Sequence, residues 1–301
     1  MDTNKVVARL QKRLSKFFAE WVANETCIEM FRDDPQSYFS LYVDGEKKAR
    51  LLGIRADESF TWRFNQYANS ALHEQWSWGD FALSARYAHA VVGFESGMVP
   101  NVTPLLEYSA ALFLSLNIIA GWKDRADQVG AMLYRGLDTR LLDLLLNERH
   151  QSGTLFRHFW FLMHLYCDAK GLELDTSKYS YPEDMSPYAE VLADWRTPDL
   201  VKVQAFVSAM ADFHVQEART TAHDEIAEFD TEDRMLFPYE ILAFLRMREW
   251  QGLTNPEVFE HPLMQQPLAK QPKDVPLAVP ETPLLDQVVV KFQQEYPGSF
   301  S

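Results

Sequence analysis

Glycine is scarce, at 12 of 301 residues. That disfavours a many-turned all-β fold and the glycine-rich loops that cradle phosphates. Cysteine is nearly missing: only Cys27 and Cys167 occur, so no disulfide framework is expected and a reducing cytoplasm is the simplest home. No apolar stretch is long enough to span a bilayer; the longest, 109–121, is embedded in polar sequence. The first sixteen residues are charged and lack the apolar centre of a secretion signal. The familiar catalytic signatures are also missing, among them Gly-x-Gly-x-x-Gly, the Walker loop, Gly-x-Ser-x-Gly, Cys-x-x-Cys and His-Glu-x-x-His.

What the chain does have is apolar and aromatic bulk. Hydrophobic residues make up 47% and aromatics 13%, with eight Trp and twenty Phe. A chain of this length and content can bury a large, ring-rich core.

Helical periodicity dominates. Over 3–31, Val6, Val7, Leu10, Leu14, Phe17, Phe18, Trp21, Val22 and Ile28 recur at three- and four-residue steps, which predicts one long amphipathic helix with Arg9, Lys12, Arg13 and Lys16 on its outer face. Further helices are predicted at 60–73, 78–94, 103–121, 126–134, 139–148, 154–169, 188–195, 197–219, 238–250 and 283–296. Thr103-Pro104, Thr197-Pro198 and Thr282-Pro283 read as helix starts, with Thr as cap and Pro at the first helical position. Gly121, Gly136 and Gly252 read as helix stops. No segment alternates convincingly like a strand, and no fixed repeat period is present.

The expected fold is therefore all-α: a multi-helix bundle of about a dozen helices in antiparallel pairs, with a Pro-rich extended C-terminal segment. The organisation expected is an N-terminal helical half (1–170), an acidic C-terminal helical half (171–261) and a Pro-rich extension with a terminal helix (262–301), the whole being compatible with one compact domain. Residues 172–187 are polar and read as the connection between the halves. Six prolines within 262–283 predict an extended, non-helical strap over the surface that returns the last helix to the body, or else a disordered tail.

Charge is the most uneven property. Residues 171–260 hold 19 Asp and Glu against 7 Lys and Arg, a net of −12 out of −14 for the whole chain. The density peaks at 224–233, where Asp224, Glu225, Glu228, Asp230, Glu232 and Asp233 put six carboxylates into ten residues. Such a field repels nucleic acid and anionic membranes and attracts basic partners. A solvated loop is the competing explanation.

The titratable residues suggest no chemistry of their own. Asp212, His214, Glu217 and His223 form the densest metal-like group, but Asp212 and His214 face different sides of a helix and only His214 and Glu217 share one. No metal and no cofactor is expected. His158 and His164, six residues apart among aromatics, read as packing residues. Asp124-Arg125-Ala126-Asp127 reads as the start of the helix that follows. Glu240 and Arg248, two turns apart on an apolar helix, are each a candidate to enter a structural ion pair. No catalytic residue is assigned.

The most particular text lies in the C-terminal half. Asp194-Trp195-Arg196-Thr197-Pro198-Asp199-Leu200 opens a helix ending in Met210-Ala211-Asp212-Phe213-His214. After the acidic stretch comes 237–253, from Phe237-Pro238-Tyr239-Glu240 to Gln251-Gly252-Leu253, closed by His261-Pro262-Leu263-Met264. Over roughly 194–264 this resembles the all-helical immunity proteins of bacterial polymorphic-toxin and type VI secretion systems. The closest likeness is to the family numbered forty-nine among immunity proteins, with the immunity proteins of PoNe-type DNases more distant. The resemblance implies a non-enzymatic, cytoplasmic inhibitor that neutralises a cognate secreted toxin, often a nuclease, by tight binding; it carries over no catalytic residues and no interface motif. The partner expected is a toxin with a basic cleft, neither nucleic acid nor membrane, and a homo-oligomer is compatible with the sequence. The acidic stretch supplies the candidate contacts: Asp224, Glu225, Glu228, Asp230, Glu232 and Asp233, with Phe229 as an apolar anchor among them. A helical scaffold or adaptor, or an enzyme without a familiar signature, are the alternatives.

Overall fold

A computed structural model describes residues 2–102, 104–145, 156–220 and 227–301. It is an all-α multi-helix bundle. Among the described residues the only β pairing is an isolated bridge between Leu145 and Tyr179, and no helix is long and apolar enough to cross a membrane.

Helix α1 (Thr3–Val22) is capped by Asp2, whose side chain accepts the Lys5 N–H. Its buried stripe is Val7, Leu10, Leu14 and Phe18. It does not continue to residue 31 as its periodicity predicts. The Asn24 side chain accepts the N–H groups of Thr26 and Cys27, and that cap starts a separate helix, α2 (Glu25–Ile28), by offering its amides a partner. Helix α2 widens into a π-turn over Glu29–Asp33 and passes into α3 (Asp34–Val43). The break turns the chain so that Phe31 and Trp62 both pack on Trp21.

Helices α4 (Leu52–Leu72) and α5 (Trp78–Gly97), joined by a short turn, form the largest helix pair. Helix α6 (Glu107–Ile119) lies in the centre, nearly every residue buried, between α5, α7 (Lys123–Gly136), α8 (Arg157–Lys170) and the later α11 (Tyr239–Trp250). Gly121 ends it at φ +78°, a conformation that a side chain would oppose. Gly136, expected as a similar stop, is instead the last helical residue of α7. There its missing side chain makes room for Leu141, 2.7 Å from where a Cβ would stand.

Helices α9 (Tyr188–Ala193), α10 (Leu200–Glu217), α11 (Tyr239–Trp250), α12 (Pro262–Gln265) and α13 (Pro283–Glu295) complete the bundle. Side chains from all three stretches of the chain, 1–170, 171–261 and 262–301, join one buried cluster.

Three local expectations are corrected. Of the Thr-Pro pairs, only Thr282-Pro283 starts a helix directly, and there the Thr282 hydroxyl donates to Asp286 Oδ1 and caps no backbone N–H. At α10 the cap is Asp199, which accepts the N–H groups of Val201 and Lys202. Pro104–Leu106 is extended, with the Leu105 N–H donating to Leu141 O, so α6 starts at Glu107; Thr103 lies outside the described residues. The helix expected over 139–148 does not form through 139–145. Thr139 bonds its own neighbourhood through its hydroxyl, and the Leu141 carbonyl is taken by Leu105; residues 146–148 lie outside the described set.

The strap over 262–283 holds two helical turns that were not expected. Pro262 and Pro267 open α12 and a 3₁₀ turn (Pro267–Ala269), and the side chains of His261 and Gln266 accept the next free N–H groups, those of Leu263 and Leu268. Proline is well suited to such first positions, where its missing N–H is not required. The strap is also held through its carbonyls. Trp76 Nε1 donates to Pro267 O, Arg246 Nη2 to Pro272 O and Trp122 Nε1 to Leu277 O.

Candidate functional site

The acidic stretch splits in two. Asp224 and Glu225 lie outside the described residues. Glu228 and Phe229 are buried, at 3% and 0% exposure, and are not available to a partner in this conformation. This corrects their assignment as partner contacts. Glu228 accepts hydrogen bonds from Arg157 Nε at 2.7 Å and from the His158 backbone N–H at 3.1 Å, and meets His158 Nδ1 at 2.8 Å. Burial pushes its carboxyl upward, but His158 and Arg157 together outweigh this and hold it below the usual range. Phe229 stacks on the His214 ring at 3.8 Å and faces His158 at 4.8 Å.

His214 is itself fully buried. Its Nε2 donates to the Arg234 carbonyl at 3.0 Å, and its Nδ1 lies 2.9 Å from Glu240 Oε1. A carbonyl only accepts, so Nε2 carries a proton, and the contact with Glu240 needs a second one on either partner. The potential ligands around it diverge. Asp212 points outward to His261 Nε2, and Glu217 accepts the Glu228 N–H; His223 lies outside the described residues. Among the described residues no group of three or more His, Cys, Asp and Glu is placed to hold a metal. Of the two ion-pair candidates on α11, Glu240 meets His214, while none of the described ion pairs includes Arg248. It is buried, donating to the carbonyls of Trp195, Thr197 and Thr254 and to Asn255 Oδ1.

This buried network pins 227–229, and the chain then turns outward. Asp230, Glu232 and Asp233 are partly exposed. Arg234 beneath them is buried, its guanidinium 3.7 Å over the Tyr108 ring and its Nε donating to Thr231 Oγ1 at 2.7 Å. The Thr231 hydroxyl in turn donates to Asp233. Helices α4 and α5 add three carboxylates that sequence reasoning did not select. Glu58 is bound by Arg55 through both oxygens, at 3.0 and 2.8 Å. Asp57, exposed, is coupled electrostatically to Asp233, Glu58 and Arg234. Glu95 is 6% exposed, and its carboxylate lies directly over Gly53, where a Cβ would fall 1.7 Å from Oε1. Burial, and then repulsion from Asp57, pushes the Glu95 carboxyl up to about 7. The protein packed around Asp57, with Asp233 and Glu58, also raises its carboxyl, while Arg234 and the water reaching its exposed side oppose the rise.

Six carboxylates (Asp57, Glu58, Glu95, Asp230, Glu232, Asp233) thus gather around three arginines: Arg55, Arg234 and Arg13, the last 3.9 Å from Glu232. The balance is acidic, and carboxylates gathered in one place raise the local field. A pocket of about 160 Å³ adjoins it, floored by Phe17, Trp21, Phe60 and Phe64 and rimmed by Glu232 and Asp233. An aromatic floor with a carboxylate rim suits a cationic side chain.

One sequence signal pointed this way: Glu95 is the lone carboxylate closing the apolar run 90–94. The approach of Asp57 to Asp233 had no local signal. No family model matches the chain, and no curated protein or solved structure matches it.

Proposed function

We propose that this protein is an immunity protein that binds and neutralises a cognate secreted antibacterial toxin, a nuclease, through the acidic cleft where the 230–233 segment meets α4 and α5. The supporting observation is the surplus of carboxylates there: Asp57, Glu95 and Asp230 stand beyond the ones that Arg13, Arg55 and Arg234 offset. A nuclease carries a basic, phosphate-attracting cleft, and an acidic surface competes for that cleft and accelerates encounter by steering. The likeness of 194–264 to helical immunity proteins supports the same reading. The partner-facing set becomes Asp57, Glu95, Asp230, Glu232 and Asp233, while Glu228 and Phe229 hold the segment in place from inside.

The test is co-expression with the product of the adjacent gene. Rescue of growth and co-purification of the two chains are expected. A toxic neighbour whose effect this protein does not relieve overturns the reading.

A further inference from the structure

Glu95 and Asp57 stand out among the charged residues because neither has a hydrogen bond or ion pair with any described residue. Glu95 is more than nine-tenths buried, yet its oxygens are not among the fully shielded side-chain atoms without a partner, so what exposure it has falls on the carboxylate, open to a donor from outside. Gly53 shows where it is aimed. The carboxylate crosses from α5 onto α4 at a residue with no side chain, one turn before Asp57 on the same helix face. The chain's own cations nearby are engaged. Arg55 holds Glu58, Arg234 bonds Thr231 and stacks on Tyr108, and Arg13 turns to Glu232 and Met235. The two acids therefore share a notch whose cation is not supplied from within.

We propose that the notch formed by Glu95 over Gly53 and by Asp57 is the seat for one arginine side chain of the partner. This deepens the proposed function and rests on it for the partner's identity. A guanidinium suits the seat better than a compact ammonium, because its planar fork can donate to two carboxylates at once. One turn further along α4, Phe60 and Phe64 floor the neighbouring pocket, where the apolar stem or a second cation can lie. Docking there gives both acids the donors they lack, so the residue seated in the notch is expected to be a hot spot.

The test needs no toxin. Hexa-arginine and hexa-lysine are titrated calorimetrically at low salt into the whole chain, into Asp57→Asn/Glu95→Gln, and into Glu257→Gln as an exposed-carboxylate control. Hexa-arginine is expected to bind wild type and the control alike, to bind more tightly than hexa-lysine, and to lose at least tenfold in affinity on the double variant. Carbodiimide coupling of wild type, read by mass spectrometry, gives a check free of substitutions: hexa-arginine should protect Asp57 and Glu95 from modification. Equal binding by the double variant, or unprotected labelling of both acids at saturating peptide, overturns the seat. Loss at the notch without any rescue in cells would refute the immunity reading and leave the seat standing. Rescue with an unaltered double variant would do the reverse.

Discussion

Replacing Glu95 by Gln should stabilise the protein strongly at pH 8 and only slightly at pH 5. The Glu95 carboxyl sits at about 7 in the fold against an ordinary 4.5. The charge that acts on it is Asp57 on α4, which itself feels Glu58, Asp233 and Arg234. Below 4.5 the proton is bound in both folded and unfolded chains, and the group contributes nothing to pH dependence. Between 4.5 and 7 the unfolded chain releases it while the folded chain keeps it, so stability falls as pH rises. Above 7 the loss is complete. A shift of that size corresponds to about 3 kcal/mol. Gln keeps the shape and cannot ionise, so it removes this loss. At about 2–4 °C per kcal/mol for a chain of this order, the variant should melt roughly 5 °C or more above wild type at pH 8. Circular dichroism melts of both proteins at pH 5, 6.5 and 8 provide the assay. A variant less stable than wild type at pH 8, or a difference independent of pH, would refute the reasoning and show that the folded state stabilises the charged form of Glu95.

Three other predictions concern the buried network. Phe229→Ala should cost roughly 3–5 kcal/mol in urea unfolding, as truncation of a fully buried ring does; a change below 1 kcal/mol would mean the ring is not packed between His214 and His158. His214→Ala should cost about 3–5 kcal/mol by leaving Glu240 buried without its partner, and His214→Ala/Glu240→Leu should recover much of that, measured in the same unfolding assay. Glu228, held below its usual 4.5 by His158 and Arg157 despite burial, contributes stability that is present above 4.5 and lost as pH falls through its folded value. Glu228→Gln should therefore lower stability at pH 7 and flatten the acid side of the profile, and an unchanged acid side would discount the pair.

Much of the fold was legible because it is local. The stripe through Leu10, Leu14 and Phe18 marks α1, and Val203, Phe206, Val207 and Met210 mark α10, since three- and four-residue spacing is a property of the segment alone. The breaks were harder. Asn24 ends a pattern that its apolar neighbours continue, and Thr139 and Leu141 spend their bonding groups on turns and on Leu105. The site was legible only as a charge count. A run of six carboxylates reads as exposed throughout, yet Glu228 is drawn inside by Arg157 and His158, some seventy residues away. Asp57 and Glu95 meet the acidic segment only through tertiary packing, which no window of sequence contains.

The central claim, capture of a basic toxin by the cleft, is tested most directly by the association rate of the adjacent gene's toxin domain at two salt concentrations. Wild type is measured beside Asp57→Asn/Asp230→Asn/Glu232→Gln/Asp233→Asn. Steering by the cleft predicts that wild-type association slows as salt rises, because screening acts beyond about 8 Å at physiological ionic strength. It also predicts that the four-site variant associates at least tenfold more slowly at low salt and protects cells poorly. Equal rates for the two proteins, insensitive to salt, would contradict it.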